Sequence, residues 1–148
     1  MATELVLELP NDPRQIERAV DSVLECCSAC QGHGRKIRLN LRVSLTEALS
    51  NAMLYGNGRD PEKRVRVAVV VREWEIEARI TDQGVGFNPR RIPDPTAPDN
   101  LDKSRGRGLF LMRELMDEVY FNEQGNEVTL ILRLRPDGKA RGTGGVSV

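Results

Sequence analysis

The chain has 148 residues, with 22 basic (Lys plus Arg) and 22 acidic side chains, so its net charge is zero. This length is enough for one domain with a buried core. A neutral chain is unsuited to bulk electrostatic binding of nucleic acid or of a membrane surface, although a local patch could still exist. No apolar run is long enough to span a bilayer, and Met1-Ala2-Thr3-Glu4 lacks the features of a secretory signal. We therefore expect a cytoplasmic protein with reduced cysteines.

A strand and an amphipathic helix are predicted first. Leucines alternate with other residues over positions 5–9, which is typical of a short strand. Asp12-Pro13 then predicts a helix start, with Asp12 as the cap and Pro13 at the first helical position. Apolar residues continue at helical spacing over positions 16–27, and the helix is expected to end near Gly32.

Three cysteines lie at the end of this helix. Cys26 and Cys30 share a helix face and His33 follows, so a metal or redox site is one interpretation. However, His33 is the only histidine in the chain, and no second pair of ligands occurs in the sequence. We prefer the alternative, in which Cys26, Cys27 and Cys30 are reduced thiols that serve as small buried hydrophobic side chains.

A second helix is predicted after Gly34. Apolar residues recur in it at steps of three and four, namely at Leu41, Leu45, Leu49 and Ala52. Gly56 and Gly58 are expected to end it.

Glu47 and Asn51 lie four residues apart in this second helix, so both side chains should share one face. A carboxylate can accept or orient a proton, and an amide oxygen one turn away can bind a hard cation such as Mg²⁺. On this helix alone, the alternative that both are solvated surface residues is the stronger one. The motifs further along the sequence favour a functional role for this pair instead.

A β-hairpin is predicted next. Apolar and polar residues alternate over positions 65–71 and 74–80, with Arg72-Glu73 as a tight connection, which indicates antiparallel strands with one covered face. Asp82 falls on the same face as Ile80. A carboxylate there is costly unless it accepts hydrogen bonds. The alternative is that Asp82 has already left the strand and caps a turn.

The segment 88–105 contains four prolines and has no apolar periodicity. A loop of this length is usually functional or disordered, and we expect a mobile lid. Gly106-Arg107-Gly108 is predicted to open a helix, followed by strands around residues 119–121 and 128–134 with a turn at Gln124-Gly125-Asn126. We expect residues 1–135 to form one domain and residues 136–148 to be a flexible glycine-rich tail.

This order of elements predicts an α+β fold. Adjacent hairpins indicate a mostly antiparallel sheet, and the amphipathic helices should cover one of its faces. The expected architecture is therefore a two-layer α/β sandwich.

Three stretches have properties suited to holding a nucleotide. In Asp82-x-Gly84-x-Gly86, glycines lacking Cβ let the backbone approach a ligand, and Asp82 can accept a hydrogen bond from an exocyclic amine such as that of adenine. Gly106 and Gly108 would offer amides and the positive end of a helix dipole to phosphates. Asn51 could hold Mg²⁺ against those phosphates, and Lys103, Arg105 and Arg107 could neutralise their charge.

Two common nucleotide-binding motifs are missing from the sequence. There is no Gly-x4-Gly-Lys-Ser/Thr loop, and no Gly-x-Gly-x-x-Gly follows a first strand. A P-loop protein and a Rossmann fold are therefore both poor interpretations.

Taken in order, the motifs resemble those of the GHKL ATPase superfamily of gyrase, heat-shock chaperones and sensor histidine kinases. Glu47-Ala48-Leu49-Ser50-Asn51-Ala52 resembles its N box, and Asp82-Gln83-Gly84-Val85-Gly86-Phe87 its first glycine box. Gly106-Arg107-Gly108-Leu109-Phe110-Leu111 resembles its second glycine box. Within the superfamily the chain is most similar to small bacterial anti-sigma-factor serine kinases, and Tyr55-Gly56-Asn57 belongs to that likeness.

The resemblance implies an ATP and Mg²⁺ site. It implies that Asn51 binds the metal and that Glu47 is the catalytic base or orients the hydroxyl group. It also implies that Asp82 recognises adenine. The remaining nucleotide-binding positions that it implies are Gly84, Gly86, Arg105, Gly106, Gly108 and Leu109. It further implies a homodimer that binds a sigma factor and phosphorylates a small antagonist protein on serine. The chain departs from the family at Tyr55, where relatives often have histidine, and at Asn126, where many have a hydroxyl residue.

Two interpretations other than an anti-sigma-factor kinase compete. A non-catalytic ATP-binding switch would act by partner binding alone, but such a module does not need Glu47 beside the γ-phosphate. A catalytic domain detached from a histidine kinase would phosphorylate itself, yet His33 is predicted in a loop and not on a long helix.

Overall fold

The computed structural model describes residues 2–27, 34–86 and 103–134, with only the backbone described for residues 103–105. The predicted tail 136–148 lies outside these residues, as do Cys30, His33 and the predicted lid up to residue 102. The domain boundary near residue 135 accordingly stays a prediction.

The described chain forms five strands and four α-helices. The strands are β1 (Thr3–Pro10), β2 (Arg64–Val71), β3 (Glu75–Thr81), β4 (Glu118–Phe121) and β5 (Glu127–Arg133). The helices are α1 (Ile16–Cys26), α2 (Gly34–Lys36), α3 (Arg42–Asn51) and α4 (Lys103–Leu115). A 3₁₀ turn (Pro13–Gln15) precedes α1, and two π-helical segments (Ile37–Leu41 and Ala52–Gly56) make α2 and α3 one continuous helical run.

Asp12 caps the first helical turn, as the sequence predicts. Its Oδ1 accepts a hydrogen bond from the backbone N–H of Arg14 at 3.0 Å. The Arg14 guanidinium also donates to the Asp12 carboxylate, and this hydrogen bond lowers the pKa of Asp12.

The strands form one antiparallel sheet in the order β1-β2-β3-β5-β4. Val67 pairs with Ile80, and Ile80 pairs with Val128, so side chains of one parity face the same side of the sheet. The helices cover that side, which confirms the predicted α+β sandwich.

The core lies between this sheet face and the helices. Its most deeply buried members on the sheet are Val65, Val67, Val69, Ile76, Ala78, Ile80, Leu130 and Leu132, and on the helical layer Val20, Val23, Leu41, Leu45, Leu49, Met53 and Met112. On the opposite sheet face, Val6 and Tyr120 are exposed. The sheet is thus covered on one side, within the part of the chain that the structure describes.

Two element boundaries differ from the predictions. Strand β3 begins at Glu75, because Trp74 lies in the hairpin turn with its side chain 45% exposed. Helix α4 begins at Lys103, three residues before the predicted start at Gly106. Leu109 and Met112 pack into the core from this helix, as does Met116 just after its end. That tertiary packing outweighs the roughly 1 kcal/mol that each interior glycine costs a helix.

Neither a membrane helix nor a metal cluster occurs in the described ranges. No helix there is both long and apolar enough to cross a bilayer. Those same ranges contain no group of three or more potential His, Cys, Asp or Glu metal ligands. Cys27 is buried in the core and Cys26 is half-buried beside it, which agrees with the predicted hydrophobic role of these two thiols.

Candidate functional site

A pocket of about 400 Å³, part of it open to solvent, lies between the α3 helical run, α4 and one end of the sheet. Its walls come from four parts of the chain that are distant in sequence. The lining residues are Ala48, Asn51, Ala52, Gly56, Ile80, Asp82, Leu109, Met112, Phe121, Gly125, Asn126, Glu127 and Val128.

One face of the second helical run forms a wall of this pocket. Ala48, Ala52 and Gly56 follow one another at steps of four residues, and Asn51 lies three residues after Ala48. After Asn51 the helix widens into the π segment Ala52–Gly56, which closes with a hydrogen bond of 2.7 Å from the Asn57 N–H to the Ala52 carbonyl. Such π turns often occur at functional sites, and sequence periodicity gave no indication of this one.

Glu47 and Asn51 lie together against α4 at Gly108. A Cβ added at Gly108 would lie 2.8 Å from Glu47 Oε1 and 3.3 Å from Asn51 Nδ2. The two side chains therefore share a helix face, as their spacing predicts. Glycine at position 108 provides the space that this carboxylate and amide occupy.

Gly106 and Gly108 lie inside α4 and do not open it. Only the first four N–H groups of an α-helix lack partners within the helix. In a helix that starts at Lys103, Gly106 is the fourth residue and Gly108 the sixth. Counted from the N-cap position before Lys103, those four groups end at residue 105, so the Gly106 and Gly108 amides both lie beyond them. The use of these two amides by phosphates stays a prediction, and the structure shows Gly108 in close packing.

Asp82 lies one residue past the end of β3 and its carboxylate caps a turn, as the alternative expects, yet it is buried on the side of Ile80, with 9% exposed. Its Oδ1 accepts a hydrogen bond from the Gly84 N–H at 2.8 Å, and its own N–H donates to the Asn126 carbonyl at 2.9 Å. The carboxylate is thus directed into the pocket from a turn held on both sides.

The glycines after Asp82 pack against protein backbone. A Cβ at Gly84 would lie 1.7 Å from the Gly56 carbonyl oxygen. Gly86 has a φ of 85°, and a Cβ there would lie 1.9 Å from the Gln124 carbonyl oxygen. The sequence predicts that these glycines let the chain approach a ligand, and the structure shows that they let it approach itself.

Replacing Gly84 by Ala is expected to lower the free energy of unfolding by about 2–3 kcal/mol, because the added methyl overlaps a backbone oxygen that cannot move alone. Gly58→Ala is a matched control. Gly58 has a φ of 61° and nothing within 4 Å of the added Cβ, so only the left-handed conformation costs energy, about 1 kcal/mol. Urea unfolding of both variants measures the difference. Equal losses would contradict the close packing of Gly84 on Gly56.

The other predicted residues are only partly accounted for. Leu109 is buried and lines the pocket. Arg107 is exposed on α4, and the side chains of Lys103 and Arg105 lie outside the described part of the chain. Sequence reasoning missed the pocket roles of Gly56 and Asn126, because both occupied positions already explained by a helix end and a turn.

The two ends of the pocket differ in chemistry. On the Asp82 side, the paired strand residues Ile80 and Val128 give the pocket an apolar wall, which suits a flat base carrying an amine that donates to the carboxylate. Around Asn51 and Glu47 the oxygen atoms suit a hard cation and a proton in transfer. The arrangement fits a magnesium nucleotide with its base at Asp82.

Comparison with known proteins agrees with this geometry. The family model described as "Histidine kinase-like ATPase domain" matches residues 9–132. The chain is 31% identical over 94 residues to an anti-sigma F factor of Geobacillus sp. (strain WCH70), covering 62% of this chain and 64% of that protein. It is 32% identical over 91 residues to the serine-protein kinase RsbW of Oceanobacillus iheyensis, covering 57% and 58%. An anti-sigma F factor of Bacillus cytotoxicus is 34% identical over 82 residues, covering 53% and 56%. The matches thus span less than two thirds of these relatives.

Proposed function

Because the chain belongs to the histidine kinase-like ATPase family, we propose that it is an ATP-dependent serine protein kinase that also acts as an anti-sigma factor. It would bind a sigma factor and phosphorylate a small antagonist protein on serine. The observation that carries the proposal is the single helical run that brings Asn51, with Glu47 beside it, to one end of the pocket and Gly56 to Asp82 at the other.

The base end of the pocket supports ATP as the nucleotide. Adenine presents an exocyclic amine, which can donate to the Asp82 carboxylate, whereas guanine presents a carbonyl oxygen at that position. A buried carboxylate facing an oxygen acceptor would lose its hydrogen bond and be repelled. Asp82 therefore favours ATP over GTP.

The phosphate end supports phosphoryl transfer. The serine oxygen would bond to the γ-phosphorus as the bond from that phosphorus to the bridging oxygen breaks, and ADP would leave with the bond's electrons. Glu47 would accept the hydroxyl proton, and the backbone amides of the first turn of α4 would hold a phosphate oxygen. Asn51 has the amide oxygen needed to hold Mg²⁺, which would supply charge neutralisation at the phosphates.

The partner assignment rests on the names of the relatives. Of the three relatives described above, two are named anti-sigma F factors and one a serine-protein kinase. The sigma factor and the serine kinase activity are carried over from these names, whereas the antagonist protein and the homodimer are proposed from the resemblance of the motifs to anti-sigma-factor serine kinases. Affinity capture from the native lysate with and without Mg-ATP, read by mass spectrometry, would identify the two protein partners.

Nucleotide binding is the first testable element of the proposal. Calorimetry with ATP and MgCl₂ is expected to show saturable binding at or below millimolar nucleotide, with GTP bound at least about tenfold more weakly. Omitting MgCl₂ should weaken the binding of ATP. If the protein shows no heat of binding at millimolar Mg-ATP, the proposed function is wrong for this pocket.

A further inference from the structure

Two buried asparagines near the pocket have no role in the chemistry proposed above. Asn11 is 8% exposed and Asn57 is 2% exposed. Buried amides of this kind are retained only where their hydrogen bonds are satisfied. Asn57 follows directly on the π segment and lies beside the turn that carries Asp82.

Asn57 holds the backbone of that turn. Its Oδ1 accepts a hydrogen bond of 2.7 Å from the Gln83 N–H, the amide directly after Asp82. Its Nδ2 donates to Asn11 Oδ1 at 3.1 Å and to the Arg64 carbonyl at 3.0 Å. The acceptor oxygen is thereby held in place from the other end of the same amide group.

Gly56 controls the side chain of the same aspartate. A Cβ at Gly56 would lie 2.2 Å from Asp82 Oδ2 and 2.4 Å from its Cγ, so the carboxylate occupies the space that a larger residue would fill. The Gly56 carbonyl also lies against the Cα of Gly84. Neighbouring residues of one helix end therefore act on both the backbone and the carboxylate of the Asp82 turn.

We propose that Gly56 and Asn57 are positioning residues that set the Asp82 carboxylate against the base and so determine base specificity, an inference that rests on the proposed nucleotide site. Asn51 begins the same π turn that Gly56 ends. One short helical segment therefore also sets the separation between the phosphate end and the base end of the pocket.

Gly56→Ala is the sharper test, because the added Cβ would overlap the Asp82 carboxylate directly. This overlap should lower the melting temperature, and the same substitution should cost less stability once the Asp82 carboxylate is removed. The displaced carboxylate should weaken ATP binding by about tenfold or more and reduce the preference for ATP over GTP.

Asn57→Ala should also weaken ATP binding by about tenfold. Asn11→Ala is its matched control, since it disturbs the same network but leaves the contact between Asn57 Oδ1 and Gln83 in place.

Repeating each substitution in an Asp82→Ala background separates positioning from general damage. In that background, substituting a residue that acts through the Asp82 carboxylate should change the ATP affinity by less than about threefold. Chemical-shift titration can follow these weak affinities. The positioning role is overturned if Gly56→Ala binds ATP like the wild type, or if the loss is as large without the Asp82 carboxylate. Wild-type protein that fails to bind ATP would instead overturn the proposed function itself.

Discussion

Glu47→Ala is expected to slow phosphoryl transfer to the antagonist protein about 100-fold or more while leaving ATP and partner binding largely intact. Phosphoryl transfer needs an aligned acceptor hydroxyl and neutralised phosphates more than covalent help. Glu47 packs beside Asn51 against Gly108, next to the end of the pocket that we propose for the phosphates. Its loss removes the group that accepts or orients the serine proton.

The measurement is transfer of label from γ-labelled ATP to the captured antagonist. Glu47→Gln keeps the shape of the side chain without its charge, and it should be nearly as slow as Glu47→Ala. Thr46→Ala is the neighbouring control, because Thr46 is exposed and its hydroxyl donates to the Arg42 carbonyl at 2.8 Å. Undiminished labelling by Glu47→Ala would remove Glu47 from the mechanism. An absence of label with wild-type protein would favour the non-catalytic switch.

Asp82→Asn is expected to weaken ATP binding by about 1.5–3 kcal/mol, or roughly 10- to 150-fold, because a charge-assisted hydrogen bond to the base amine is lost. The substitution is close to isosteric. An asparagine at position 82 can still accept the Gly84 N–H that Asp82 Oδ1 accepts at 2.8 Å. The fold of the turn should therefore survive, which makes the loss a measure of base recognition.

Calorimetry with ATP and with GTP provides the test of this substitution. ATP affinity should fall much more than GTP affinity, since guanine offers no amine at the same position. Circular dichroism should show an unchanged fold. If the Asp82→Asn variant binds ATP as tightly as the wild-type protein, the base does not bind at Asp82.

Helices, strands and the pairing of Glu47 with Asn51 could be predicted from the sequence because they depend on local periodicity. Steps of three and four residues identify the α3 face, and alternation identifies β2, β3 and the buried side of Asp82. A short turn joins β2 to β3, so their antiparallel pairing also follows from the chain order.

The glycines show where that local reasoning was incomplete. Gly106 and Gly108 are poor helix formers, so the pattern predicts a helix start, yet α4 already begins at Lys103. Leu109 and Met112 hold it in place by packing into the core. Glu47, 61 positions earlier in the chain, occupies the space that a side chain at position 108 would fill. The low helix propensity of glycine gives no information about that contact.

The sequence by itself determined the α+β class, the face shared by Glu47 and Asn51, and the burial of Asp82, because each follows from a repeat of two or of about 3.6 residues. Only the tertiary structure decided that a π turn carries Gly56 to the Asp82 carboxylate and that Asn57 holds the Gln83 amide. These contacts join residues 26 positions apart. They depend on how the helical layer settles on the sheet, which is a property of the packed core and not of any local pattern.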